Sequence, residues 1–252
     1  MSLEWPTKAC RVYLVKIPSF DAEGAAVRCP KDEVHLWQGL LDQMPQSGAV
    51  LSSPEHGRAE RLHRSQDRER FIAGRAWLRA TLARYLDVAP QALCLIEGRH
   101  GKPLLADGSL HFNLSHSGGV ALLAVCRASP VGVDVEAMQP MADCDAIARR
   151  HFAAAEVERW AALPAADRLA AFYRCWTRKE AYVKALGGGL SVPLDGFEVA
   201  FEPGAEPALR SVAGSAVAAA VWSVWGIEPA PGFVAAVVAH GAGLTLRRMV
   251  AH

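Results

Sequence analysis

The run Gly132-Val133-Asp134-Val135-Glu136 sets two carboxylates two residues apart between valines. In an extended chain, side chains at i and i+2 share a face, so Asp134 and Glu136 stand side by side while Val133 and Val135 enter a core. Two like charges so placed favour a cation, and a solvated strand end is the plainer alternative. Further on, Trp176, Glu180 and Lys184 are spaced i, i+4, i+8, which on a helix puts an aromatic ring, a carboxylate and an ammonium in one column. A glutamate four residues before a lysine is also an ordinary helix-stabilising pair, worth about 0.2–0.5 kcal/mol. Taken together the patterns suit Mg2+, which prefers oxygen ligands and leaves part of its coordination to substrate phosphates. Asp134, Glu136 and Glu180 are the candidate metal ligands, and Lys184, one turn from Glu180, reaches a phosphate oxygen. That is the equipment of a phosphoryl-transfer centre acting on a pyrophosphate.

The segment Phe112-Asn113-Leu114-Ser115-His116-Ser117-Gly118-Gly119 adds hydroxyls, an imidazole and a flexible backbone, the makings of a second anion subsite. Ser115 and His116 are adjacent and point apart in an extended chain, so they do not form a nucleophile–base pair. No G-x-S-x-G occurs, which argues against an α/β-hydrolase.

These residues need elements to carry them. β-branched patterning predicts strands over 12–17, 110–114, 120–126 and 131–135, and strand-like runs over 197–200, 216–225 and 233–240. Residues 54–86 read as one long helix or two shorter ones, with further helices over 145–152, 154–163 and 169–186, the last stopped by Gly187-Gly188-Gly189. The helical segment 54–86 is basic, with eight arginines against four acids, and most of these are expected on a solvated face.

A chain of 252 residues, 51% hydrophobic and 21% charged, can bury a sizeable core without metals or crosslinks. A formal charge of +1 is too balanced for broad nucleic-acid binding, while a local basic pocket for a small anion remains open. The six scattered cysteines show no C-x-x-C or Cys/His ligand spacing, so buried free thiols in a reducing cytosol are expected. The N-terminus lacks a secretory h-region, and no apolar run approaches the roughly 20 residues that span a bilayer, so a cytoplasmic protein with no membrane partner is expected.

F-N-L-S-H-S at 112–117, G-V-D-V-E at 132–136 and W-T-R-K-E-A-Y-V-K at 176–184 occur in that order. With R-x-x-R at 58–61, A-G-R at 73–75, G-K-P at 101–103 and G-L-S-x-P-L at 189–194, they resemble the 4′-phosphopantetheinyl transferases of the large surfactin-synthetase-activating type. The resemblance covers most of the chain. It implies an α+β monomer of two similar α/β lobes related by a pseudo-twofold axis, here divided as 1–128 and 129–252, with coenzyme A in the cleft between them. The N-terminal lobe would contact coenzyme A, and the C-terminal lobe would carry the metal and catalytic residues. It also implies the reaction: the serine hydroxyl of an apo acyl or peptidyl carrier protein attacks the β-phosphate of coenzyme A, and adenosine 3′,5′-bisphosphate leaves.

Residue by residue, the resemblance implies that Asp134, Glu136 and Glu180 hold Mg2+, with Mn2+ as an alternative. Glu180 doubles as a candidate base, and Lys184 contacts the pyrophosphate. Arg58 and Lys102 match coenzyme A positions, Ser115 and His116 the phosphate-contacting pair, and Arg61 and Arg75 are weaker candidates. Lys179 belongs to the helix motif but gains no catalytic role from its spacing, and Glu156 sits where relatives often carry another acid. Arg149 and Arg150 are candidates for steering an acidic carrier, or part of a solvated face. Two other classes compete: a module that binds coenzyme A or a carrier without transfer, which would not need all of Asp134, Glu136, Glu180 and Lys184, and a metal-dependent phosphatase or pyrophosphatase, which would need no carrier.

Overall fold

Every side chain of the strand Val120–Cys126 is buried, so it must be covered on both faces, and the architecture follows from what covers it. The computed structural model describes residues 12–17, 26–45, 47–98 and 100–251. In chain order these form β1 (Val12–Ile17), β2 (Glu33–Leu40), α1 (Ser53–Glu60), α2 (Ser65–Leu86), β3 (Leu95–Glu97), β4 (Pro103–Leu105), β5 (His111–Ser117), β6 (Val120–Cys126) and β7 (Val131–Ala137). There follow α3 (Cys144–His151), α4 (Ala154–Ala161), α5 (Ala165–Leu186), β8 (Phe197–Val199), β9 (Leu209–Val212), α6 (Ala216–Ala220), β10 (Trp222–Ile227), β11 (Phe233–His240) and β12 (Thr245–Ala251). The fold class is α+β.

One sheet has the order β1-β12-β2-β6-β5 and a second the order β10-β11-β7. The alternation of side chains sorts them into layers. Ala121, Leu123 and Val125 of β6 join Trp77, Leu78 and Leu82 of α2 in one cluster, while Val120, Leu122, Ala124 and Cys126 face the second sheet. There they meet Val131, Val133 and Val135 of β7 and Ala235, Val237 and Ala239 of β11. The opposite face of β11, through Val234, Ala236 and Val238, packs against Phe172, Tyr173 and Ala181 of α5. The layers thus run α2, five-stranded sheet, three-stranded sheet, α5.

Several expectations need correcting. Residues 216–225 are not one strand: Ser215 caps a short helix by accepting the Ala218 amide at 3.2 Å, and β10 starts only at Trp222. The run Val217-Ala218-Ala219-Ala220 has alanine's helix propensity and little of the β-branching that a strand prefers. Strands β2, β3, β4, β9 and β12 lie outside the runs that the sequence pattern marks as strands. In β12, Arg247 and Arg248 break the apolar pattern, but Glu33 of β2 accepts from Arg247 Nε at 2.9 Å and Gln38 from Arg248 Nη2 at 3.0 Å. A division of the chain at residue 128 therefore leaves its last strand in the N-terminal sheet. Residues 54–86 resolve into two helices, and β5 runs on through Ser115, His116 and Ser117. Among the cysteines, Cys29, Cys126, Cys144 and Cys175 are free and buried, Cys94 is free but exposed, and Cys10 lies outside the described residues. Burial pushes the Cys29 thiol up to about 12 and that of Cys144 to about 11, so these thiols are inert packing groups.

Two contacts bring α5 and β7 together. A Cβ at Gly132 would lie 2.0 Å from the Ala181 carbonyl oxygen and 2.4 Å from the Ala185 nitrogen, so β7 and α5 meet backbone to backbone where residue 132 has no side chain. Lys102, in the turn before β4, donates from Nζ to the Lys184 carbonyl at 2.6 Å and to that of Val131 at 3.0 Å. It ties the last turn of α5 to the start of β7. Burial, reinforced by the Lys184 charge, lowers its pKa from 10.5 to about 8.

Gly132→Ala is expected to destabilise the protein by about 1–3 kcal/mol or more, because the nearest neighbours are backbone atoms that cannot rotate away; urea unfolding with an unchanged m-value checks this. Lys102 yields a pH signature. Between pH 8 and 10.5 the unfolded chain holds the lysine proton and the folded chain has released it, so this group adds stability as pH rises through that window. A neutral amine still has two hydrogens for its two carbonyls. The stability of the parent relative to Lys102→Met should therefore climb from pH 8 to 10.5, and a flat difference would refute the assignment.

Candidate active site

A cleft of about 790 Å3 opens between the halves. Its C-terminal wall comes from α5, where Trp176, Glu180 and Lys184 line it as one column, as helical spacing requires. Lys179, one residue from Glu180, points the other way and is fully buried. Its ammonium pairs with Glu156 at 2.7 Å and donates to the carbonyls of Leu194 and Phe197 at 2.7 Å each. Glu156 also accepts the Ala153 amide at 2.8 Å and the Val199 amide at 2.7 Å. The pair joins α4, α5 and β8 away from the cleft, which gives Lys179 and Glu156 a packing role.

Beneath α5 lie the strand carboxylates. Asp134 is 3% exposed, yet its Oδ1 accepts from Lys184 Nζ at 2.5 Å and from Ser115 Oγ at 3.1 Å. Its Oδ2 is buried and has no hydrogen-bond partner among the described residues. Glu136, two residues on and half-buried, accepts from Ser117 Oγ at 3.0 Å through Oε2. Burial pushes all three acids upward. For Glu136 and Glu180 the Asp134 charge adds to the rise, and for Asp134 the Lys184 ammonium and the Ser115 hydroxyl only partly offset it. Crowded, desolvated carboxylates of this kind are relieved by a positive charge, and Asp134 Oδ2 is a buried oxygen that no donor satisfies among the described residues. Among the described residues no three His, Cys, Asp or Glu side chains are already drawn together at metal-holding range. The donor set is hard oxygen with one atom open, which fits a divalent cation in chemistry, while Lys184 and Ser117 each engage one carboxylate.

The N-terminal wall is basic and aromatic. The guanidinium groups of Arg58 and Arg75 each lie 5.5 Å from the ring centre of Phe71 on α2. Glu55 fixes this arrangement: it accepts the Ser52 amide at 2.8 Å at the start of α1, bonds Arg79 of α2 at 2.8 Å, and stands 4.0 Å from Arg75. Burial alone would raise the Glu55 carboxyl, but the Ser52 amide and Arg79 hold it below the usual range. Arg70, also on this wall, makes a two-pronged bond to Asp42 at 2.7 and 2.8 Å. His116 projects from β5 into the mouth of the cleft. The surrounding walls desolvate its ring and, with Lys184, Arg70 and Arg75 nearby, hold its pKa below that of an ordinary imidazole.

The structure therefore brings Glu180, Lys184, Arg58, Arg75, Lys102 and His116 to one cleft. Arg61 is exposed at the end of α1 and is not among the lining residues. Ser115 lies on the opposite face of β5 from His116, bonded to Asp134, and the Lys102 ammonium is engaged by two carbonyls. Sequence reasoning missed Phe71, Arg70, His100, His151 and Glu55. Phe71, four residues before Arg75 in the basic helix, was the one with a readable signal.

The sequence profile of the 4′-phosphopantetheinyl transferase superfamily matches residues 130–238, and that of the 4′-phosphopantetheinyl transferase N-terminal domain matches residues 35–128. The 4′-phosphopantetheinyl transferase HetI of Nostoc sp. is 40% identical over 84% of this chain and 90% of its own length. The 4′-phosphopantetheinyl transferase Sfp of Bacillus subtilis is 30% identical over 60% of this chain and 66% of its own. A crystal structure of the Thermotoga maritima holo-[acyl-carrier-protein] synthase covers 45% of this chain and 63% of that one at 20% identity with a TM-score of 0.33, too distant to bear on the site. Both halves of the chain match, a relative aligns at 40% identity over 90% of its length, and the chain belongs to the 4′-phosphopantetheinyl transferases, an enzyme family.

Proposed function

We propose that this enzyme transfers 4′-phosphopantetheine from coenzyme A to a serine of an apo acyl or peptidyl carrier protein. The observation that carries the reading is a single cleft with an arginine-flanked aromatic on one wall and Glu180 with Lys184, above buried Asp134, on the other. A nucleotide with phosphates matches the first wall by stacking and charge. A pyrophosphate matches the second.

Asp134 Oδ2, Glu136 and Glu180 are the residues that would hold Mg2+, with Mn2+ as an alternative. A cation there supplies Lewis-acid polarisation of a phosphoryl oxygen. The remaining work falls to side chains. Glu180, its pKa raised by burial and by Asp134, is suited to accept the proton of the incoming serine. The serine oxygen forms its bond to the β-phosphorus, the bond from that phosphorus to the bridging oxygen breaks, and adenosine 3′,5′-bisphosphate leaves. Lys184 stabilises charge on the pyrophosphate as it shifts to the leaving oxygen. The nucleophile arrives on the partner. Buried free thiols support action in a reducing cytosol, and the resemblance supports a monomer. Among the described residues no helix is long and apolar enough to cross a membrane.

Purified protein incubated with coenzyme A, Mg2+ and a panel of apo carrier proteins should add one phosphopantetheine to a carrier serine, read as intact mass. Glu180→Gln should lower kcat at least about 100-fold, in the range typical of a lost general base. Coenzyme A binding without transfer to any carrier would favour a binding module, and phosphate release without a carrier would favour a phosphatase. Arg75→Ala and His116→Ala should each weaken coenzyme A binding by roughly 10-fold, about 1.4 kcal/mol, in calorimetry without a carrier. Unchanged dissociation constants would remove those residues from the nucleotide wall.

A further inference from the structure

Strand β5 is the edge of the five-stranded sheet and β7 the edge of the three-stranded sheet, and the two lie side by side without pairing in either. Side chains of β5 replace the missing ladder. Asn113 Oδ1 accepts the Val133 amide at 2.8 Å, Ser115 donates to Asp134 at 3.1 Å, and Ser117 donates to Glu136 at 3.0 Å. The alternation in Asn113-x-Ser115-x-Ser117 thus runs in register with Val133-Asp134-x-Glu136, a hydroxyl opposite each carboxylate.

The two serines differ. Ser115 shares Asp134 with Lys184, whose ammonium also reaches the Ser115 hydroxyl at 3.1 Å. Ser117 is the only side-chain donor to Glu136 among the described residues, and its orientation is determined: the Ala137 amide donates to Ser117 Oγ at 3.1 Å, so the serine proton goes to the carboxylate. One oxygen of Glu136 is thereby held, and the other stays outside that bond. Two residues away, buried Asp134 Oδ2 has no donor.

We propose that Ser117 is a positioning residue that fixes the Glu136 carboxylate for a divalent cation shared with Asp134. The proposal rests on the metal assignment made above. A hydroxyl that orients a ligating carboxylate typically contributes about 10–100-fold to metal affinity. Because Ser117 bonds Glu136 and a backbone amide, its loss should alter metal binding and leave the nucleotide wall of the cleft intact.

The test is Mn2+ titration of the full chain, followed by electron paramagnetic resonance without coenzyme A or carrier, for the parent, Ser117→Ala and Glu136→Gln. Ser117→Thr and Ser117→Val, equal in shape and different only in the hydroxyl, keep the test decisive if Ser117→Ala unfolds. Ala and Val should weaken Mn2+ binding by about 10-fold or more, Thr should restore it to within about 3-fold, and Glu136→Gln should lose at least as much as Ala. In the transfer assay, Ala should raise the Mg2+ concentration for half-maximal rate by a similar factor with KM for coenzyme A unchanged. If Ala and Val bind Mn2+ like the parent while Glu136→Gln does not, the role of Ser117 falls and the metal assignment stands. If Glu136→Gln also binds like the parent, Glu136 is no ligand and both fall.

Discussion

Helix α5 lies against β7 because residue 132 has no side chain. With a Cβ position 2.0 Å from a helix carbonyl oxygen, any other residue would separate the two elements, and everything chemical about the cleft depends on their contact. Asp134 follows Gly132 by two residues and shares its face, so the approach that Gly132 allows brings the Asp134 carboxylate to Lys184 at 2.5 Å. The valines between them fill the space between the sheets. One five-residue segment therefore serves packing through alternate side chains and chemistry through the others.

That geometry carries an electrostatic cost, and the surrounding residues show how it is managed. Asp134 is buried, Glu136 and Glu180 feel its charge, and all three carboxyls are pushed up. Lys184 and the serines of β5 supply partial compensation and leave one buried oxygen open. A few residues away, Lys179 and Glu156 have the opposite arrangement. Each has further hydrogen bonds to backbone groups, so the buried pair is complete and binds elements together. Neighbouring positions of α5 thus serve both kinds of site, Lys179 a completed ion pair and Glu180 an incomplete carboxylate group, which distinguishes a structural charge from a functional one.

The opposite wall is built by a different device. Glu55 links α1 to α2, so that Arg58 from one helix and Arg75 from the other both meet Phe71. Eight arginines in this region could have been no more than a solubilising face, and Arg61 and Arg64 are exposed as such a face would be. The break between α1 and α2, together with the Glu55 link, selects which arginines meet at the cleft.

The sequence by itself determined the local geometry of the site. Alternation in Gly132-Val133-Asp134-Val135-Glu136 and four-residue spacing from Trp176 to Lys184 dictate which side chains share a face, because those periods are properties of the strand and helix backbones. The motifs also carried the family, which both profile matches confirm. Tertiary structure alone decided the rest, because it depends on contacts between residues far apart in the chain. Arg247 and Arg248 obscure β12 until Glu33 and Gln38 accept their hydrogen bonds some two hundred residues away. Lys102 read as a coenzyme A contact, yet its ammonium reaches two backbone carbonyls that no spacing could indicate. Ser115 and Ser117 read as phosphate ligands or loop residues until two unpaired sheet edges set them opposite Asp134 and Glu136. A periodic pattern fixes the direction of a side chain, but only the packing of distant elements fixes what it meets.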